Sequence, residues 1–170
     1  MANTPQASKL ARRWALDIRK LGGTEDDPFT RVRGINSFQP GLDPNMEDTT
    51  DFDNDGWTSQ EKTMQGWSLA IGFIEKVGTE DRAQDPGQKI LEEASDQFGP
   101  ESMVEARWYE RDGELAYGGI ASVQFEPQGG SPTDLSTVNV TLQGNGARNR
   151  ITHPGDEPDT TSTGDGSGNE

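Results

Sequence analysis

Six stretches of this chain place apolar side chains at every second position, and only one places them at helical spacing. Trp14, Leu16 and Ile18 share one face of "RRWALDIRK"; "FTRVRGINSF" is also strand-like, with its alternation broken near Gly34 as at a bulge. Trp67, Leu69, Ile71 and Phe73 line one face of "QGWSLAIGFIEKV", with the small residues Ser68, Ala70 and Gly72 on the other. Val104, Ala106 and Trp108 share a face of "MVEARWYER"; Ala121, Val123 and Phe125 share one in "AYGGIASVQFEP". In "STVNVTLQG", Val138, Val140 and Leu142 alternate with Thr137, Asn139, Thr141 and Gln143. Period two is the mark of half-buried strands. "RDGE" at 111–114 suits a tight hairpin turn. The exception is "DPGQKILEEASDQFG", where Ile90, Leu91, Ala94 and Phe98 recur at helical spacing, Asp85 can cap and Pro86 suits the first turn. This predicts one helix over about 86–98. The fold class is mainly β, a β-sandwich or barrel-type core with one flanking helix.

The apolar content is low for a chain of 170 residues. Leu, Ile, Val and Phe make up 28 of them, below the roughly 20% at which high charge begins to suggest disorder. A core this thin fits a subunit that completes its burial in an assembly. The formal net charge is −15. That opposes ordinary nucleic-acid binding, which relies on Lys and Arg, and docking on an anionic membrane. No cysteine is present, so disulfides and thiolate chemistry are excluded. "MANTPQASKLARRW" does not read as a signal peptide.

Three segments lie outside the alternating pattern. Residues 1–9 read as a flexible leader. Residues 147–170, "HPGDEPDTTSTGDGSGNE" included, read as an acidic tail rich in Gly, Ser and Thr, disordered when free. The folded domain is expected over 10–146. Inside it, residues 39–62 read as a long polar loop, with seven acids and no Lys or Arg from Asp43 to Glu61. A loop of that length is usually functional or disordered.

That loop contains "DFDNDGW", in which Asp51, Asp53, Asp55 and Gly56 match the front of a calcium-loop pattern. Position 12 of the pattern should be Glu and is Lys62, position 8 is Thr58, and no helix is expected on either side. A calcium-stabilised β-domain acting as a monomeric binding module is therefore an alternative reading, with Asp51, Asp53 and Asp55 as ligands. An enzyme is not expected. The single histidine, His153, falls at the start of the tail, and no nucleophile elbow or phosphate-binding loop is present. A hydrolase would have only its carboxylates in support. Trp57, beside Gly56 in the acidic loop, reads as an exposed contact residue, whereas Trp14, Trp67 and Trp108 read as core.

The segments taken in order are "WALDI", "RVRGINSFQP", "DFDNDGWTSQEKT", "WSL", "DPGQKILEEASDQFG", "RWYERDGELAYGGIASVQF" and "DLSTVNVTLQGNG". This series, over roughly residues 1–146, resembles the major tail tube protein of long-tailed, non-contractile bacteriophages, most closely the form in phages of actinobacteria. The resemblance implies a tail tube fold and a structural virion protein without cofactors. Its copies would form hexameric rings, assembled in the bacterial host cytoplasm and stacked into a hollow tube. One sheet of each subunit would contribute to a continuous barrel around the lumen, through which DNA passes into the host. Other partners would be the tape-measure protein, the tail terminator and the distal tail protein. The long loop would reach a neighbouring subunit, which makes Asp51, Phe52, Asp53 and Trp57 expected contacts. Arg148 and Arg150 are expected to meet another subunit's acidic loop. Thr137, Asn139, Thr141 and Gln143 are the expected lumen wall.

Overall fold

The computed structural model describes residues 13–24 and 26–156. Its order is β1 (Trp14–Lys20), β2 (Thr30–Arg31), β3 (Ile35–Asp48), β4 (Gln60–Ile74), α1 (Pro86–Ser95), β5 (Met103–Glu110), β6 (Ala116–Gln128), β7 (Thr137–Gly144) and β8 (Asn149–Arg150). All pairings are antiparallel, in the spatial order β2-β1-β5-β6-β7-β4-β3, with β8 on β6. The expected fold class holds: mainly β, with one helix.

The sheet rolls onto itself. Trp67 of β4 lies 5.0 Å from Trp108 of β5, ring centre to ring centre, although β6 and β7 separate their strands in the sheet. Trp14 of β1 stacks on Phe38 of β3 at 5.2 Å, joining the two flanks of the sheet. Residues 32–34 alone carry the chain from β2 at one edge to β3 at the other. The segment 29–38 is therefore not one bulged strand. It is two strands on opposite edges, and Gly34 makes the crossing at φ 79°, which a residue with Cβ adopts only under strain. Its carbonyl accepts from the Ile74 amide.

The inner face of the roll is the core: Leu16, Ile18, Leu69, Phe73, Val104, Trp108, Val138, Val140 and Leu142 are all essentially inaccessible. Trp67 fits because the facing positions are small. A Cβ on Gly119 would sit 2.6 Å from its ring, and one on Gly144 would meet the indole directly. The Trp67 Nε1 donates to the Gly146 carbonyl at 3.1 Å. Gly144→Ala is expected to cost roughly 1–3 kcal/mol by overpacking, read as a lower midpoint in chemical denaturation.

The helix starts as expected: the Asp85 carboxylate accepts from the Gln88 amide at 3.2 Å, and Pro86 occupies the first turn. Leu91 and Ala94 enter the core. The helix ends at Ser95, three residues short of the expected 98. Phe98 has extended backbone before Gly99 and is 91% exposed. Gln88, fully buried, closes the seam. Its Nε2 donates to the Arg33 and Ile74 carbonyls and its Oε1 accepts from the Lys76 amide, so all its hydrogen-bonding groups are engaged.

Two boundaries move. The expected domain end at 146 falls short, because Asn149–Arg150 pairs with β6 and Ile151 packs on Ala15, Tyr109 and Ala116. His153 is likewise seated, with Nε2 2.8 Å from the Glu110 carbonyl and its ring edge-on to Tyr109. The expected leader, 1–9, and the tail from 157 lie outside the described residues. The second correction is the stretch 39–62, which is mostly strand. β3 and β4 pair from Ile35–Phe73 out to Asp48–Gln60, leaving only the tip, 49–59, as loop. The acids hid this, since a ladder exposed on both faces needs no alternation of apolar side chains.

Candidate functional site

The two strands that form this hairpin leave the sheet. β4 pairs with β7 only over Ser68–Ile74, so beyond Trp67 the hairpin is a bare two-stranded arm. Its residues are exposed on both faces, Leu42, Met46 and Met64 among them. A two-stranded ribbon is marginal alone in water, and apolar side chains exposed along it are the kind of surface that interaction sites present.

The tip is ordered by its own polar groups. Asp51 caps a single turn of 3-10 helix, Phe52–Asn54, through its carboxylate and the Asp53 amide, 3.0 Å apart. Asp55 adopts φ 49° and Gly56 φ 83°, and the Trp57 amide donates to the Asn54 carbonyl at 2.9 Å. The chain then closes through the Thr49 amide on the Ser59 carbonyl. The Thr50 hydroxyl, with its amide, holds the Asp48 carboxylate below its ordinary range. This local order presents two aromatics outward, Phe52 fully exposed and Trp57 80% exposed. The expected contacts Asp51, Phe52, Asp53 and Trp57 are thus brought together at one point. As calcium ligands the three aspartates are not: among the described residues no group of three or more carboxylate or imidazole side chains could hold a metal ion. Because Trp57 touches little, Trp57→Ala is expected to change folding stability by less than about 0.5 kcal/mol, as measured by thermal melting.

Thr137, Asn139, Thr141 and Gln143 lie on the outer face of β7, half-buried or exposed. Register extends this row across four strands. Ser68, Ala70 and Gly72 sit beside it on β4, Ser122, Gln124, Glu126 and Gln128 on β6, and Ser37, Gln39 and Gly41 on β3. The result is a broad face of small, hydroxyl and amide side chains with one acid, Glu126, and no Lys or Arg among these residues. The small residues of β4 noted in the sequence serve this face.

Arg148 and Arg150 stand apart from both features, beside the first half of β6. The Arg148 guanidinium lies 4.2 Å from the centre of the Tyr117 ring, and Arg150 pairs with Tyr117 in the ladder.

Sequence reasoning missed a charged cluster on the outer face of β1 and β5. Asp17, 4% exposed, binds Arg31, Arg107 and the Tyr109 hydroxyl, the last two at 3.2 and 3.1 Å. Burial works against the Arg31 charge, but Asp17 holds its pKa above the ordinary value. Burial, with the Asp17 charge, raises that of Tyr109. Alternation placed Asp17 outward, and nothing in one strand announces that two others supply its partners. Arg31 also reaches a cleft of about 390 Å³ at the seam of the roll, floored by Trp14 and Phe38 and rimmed by Arg33 and Arg111.

No protein-family model matches the chain, and no curated protein does. Solved structures do. The tail of an empty gene transfer agent particle, refined with C6 symmetry, superposes with a TM-score of 0.66 at 13% identity, over 85% of this chain and 100% of that one. The SPP1 tail tube gives 0.62 at 14% identity, over 85% and 79%. The six-fold symmetrised baseplate of the anti-feeding prophage gives 0.56 at 7% identity, over 89% and 98%. A rolled antiparallel sheet with one helix and a projecting hairpin, matched over most of its length to these assemblies, has the tail tube fold.

Proposed function

We propose that this chain is a structural virion protein rather than an enzyme: the major tail tube subunit of a long-tailed phage. Its copies form rings, six to a ring in keeping with the C6 symmetry of the gene transfer agent tail, and the rings stack into a hollow tube. The observation that carries this reading is the arm. A ribbon whose apolar side chains and two aromatics all face solvent is incomplete in a single copy, and a second copy supplies what covers it. The broad polar face supports the rest. A wall of Thr, Asn, Gln and Ser without Lys or Arg offers a passing phosphate backbone no counter-charge, so DNA moves along it without being held. On this reading Thr137, Asn139, Thr141 and Gln143 line the lumen, in the tail of the virion. The tape-measure protein lies inside during assembly, and the tail terminator and distal tail protein meet the tube ends. Arg148 and Arg150 remain proposed contacts with a neighbouring subunit.

Negative-stain electron microscopy of the concentrated protein tests this, with and without calcium. Hollow tubes or stacked rings of one diameter in both conditions are expected. Single small particles that change only on adding calcium would overturn the reading in favour of a calcium-stabilised monomer.

A further inference from the structure

The acidic, aromatic tip of the arm has a counterpart elsewhere on the same chain. The seam cleft is floored by Trp14 and Phe38 and lined by Arg31, Arg33 and Arg111, with no carboxylate among the described residues that line it. In a chain of net charge −15 such a site stands out. Three other surface clefts each include carboxylates: Glu93 and Glu101 in one, Asp81 and Asp85 in another, Glu105 in the third. Two of them balance these with as many cations, Arg33 and Lys76 in one and Arg107 in the other, and the remaining one sets only Lys20 against two acids, so an acidic tip is drawn most strongly to the seam. Arg31 is already held by Asp17, whereas the Arg33 side chain is 77% exposed and at the outer limit of an ion pair with Asp85, 4.0 Å away. Arg111 has no carboxylate within ion-pair distance among the described residues. At about 390 Å³ the cleft is in the roughly 300–1,000 Å³ range in which proteins enclose small ligands, which leaves room for an aromatic side chain.

We infer that the arm tip of one copy docks in the seam cleft of the next. Trp57 lies among the arginines, and Asp53 and Asp55 face Arg33 and Arg111. Trp and Arg are both enriched at interface hot spots, and a guanidinium is attracted to the face of an indole. The occupant has to be a second copy. The cleft lies at the start of β3 and the tip beyond its end, and the ten residue steps from Phe38 to Asp48 span roughly 33 Å of paired strand. A hairpin held in register cannot fold back over that distance. Tip and cleft are different surfaces, so the contact is head-to-tail, the kind that closes rings or extends filaments instead of stopping at a dimer. The inference deepens the tube reading and rests on it only for the presence of many copies side by side.

The absence of cysteine makes the test clean. Two full-length single-cysteine proteins are mixed under mild oxidation: Thr58→Cys at the tip and Ser37→Cys in the cleft. Gln97→Cys, in the groove beside the helix, serves as the competing receiver. Mapping the disulfides by mass spectrometry is expected to show the tip–cleft product roughly tenfold over the tip–groove product. Arg33→Glu with Arg111→Glu in the cleft protein should lower it roughly tenfold, and Asp53→Lys with Asp55→Lys in the tip protein should restore it. Those two aspartate side chains take no part in the hydrogen bonds that order the tip. Equal trapping by the groove, no tip–cleft product, or indifference to charge reversal overturns the inference. Microscopy of the cysteine-free protein reads the tube separately. Tubes with the tip trapped elsewhere discard only the docking site, whereas no tubes and no trapped product discard both.

Discussion

Replacing residues 44–65 with Asn-Gly is expected to give a folded protein that no longer polymerises. The cut falls just outside the pair Asp43–Gly66, and Asn-Gly favours the two-residue turn that closes such a hairpin. Everything removed is exposed except Asn54 and Ser59, which are half-buried within the tip itself, while Trp67, Leu69, Ile71 and Phe73 keep their places in the core. Stability should therefore change by no more than about 1 kcal/mol in thermal or chemical denaturation. Assembly should respond very differently. Loss of Phe52, Trp57 and the apolar ribbon removes an interface hot spot together with its surround. The concentration needed for polymers should rise by more than roughly 100-fold, read by sedimentation and microscopy. Normal tubes from the shortened chain would show that the arm is not what joins the copies.

Asp17→Ala should do the opposite and damage the fold itself. The carboxylate is buried beneath three partners, and its removal takes the shared acceptor from Arg31, Arg107 and the Tyr109 hydroxyl at once, leaving two guanidinium charges without the anion between them. Breaking a buried ion pair from one side costs about 3–5 kcal/mol, and Arg31, still partly open to water, recovers some of this. A loss of roughly 2–4 kcal/mol is expected, a fall in Tm on the order of 10 °C for a chain of this size. Asp17→Asn should lie between the two, since an amide can still accept from Tyr109 but carries no charge. A melting curve of Asp17→Ala that overlays the wild type would mean that the cluster is ornamental.

The strands of the roll were legible because each buries one face. Alternation at Trp67–Phe73 and Val138–Leu142 reports a core on one side only, and the structure places those residues there. The helix was legible from Asp85, Pro86 and the Leu91–Ala94 spacing, but its last turn was not. Phe98 keeps the helical period in sequence while Gly99 and Pro100 pull the backbone out of helix before it. The arm was illegible for a related reason. Strands that bury neither face carry no period, so acids and prolines over 39–62 looked like loop. The seam cleft was beyond reach altogether, because Trp14, Arg33, Phe38 and Arg111 become neighbours only when the sheet rolls. The acidic tip was expected from the sequence to be a contact; the cleft proposed to receive it was not.

One feature of β3 bears on how such a protein survives its own concentration. β3 is an edge strand of 14 residues, with one side of its backbone unpaired among the described residues, the geometry that seeds cross-β aggregation. Pro40 and Pro44 interrupt it with positions that have no amide to donate, and Asp43, Glu47 and Asp48 add like charge against any identical strand laid alongside. Backbone templating is thus closed along the very strand that carries the tip. Copies can crowd together without fusing into fibrils, which leaves the proposed assembly to recognition by side chains rather than by backbone.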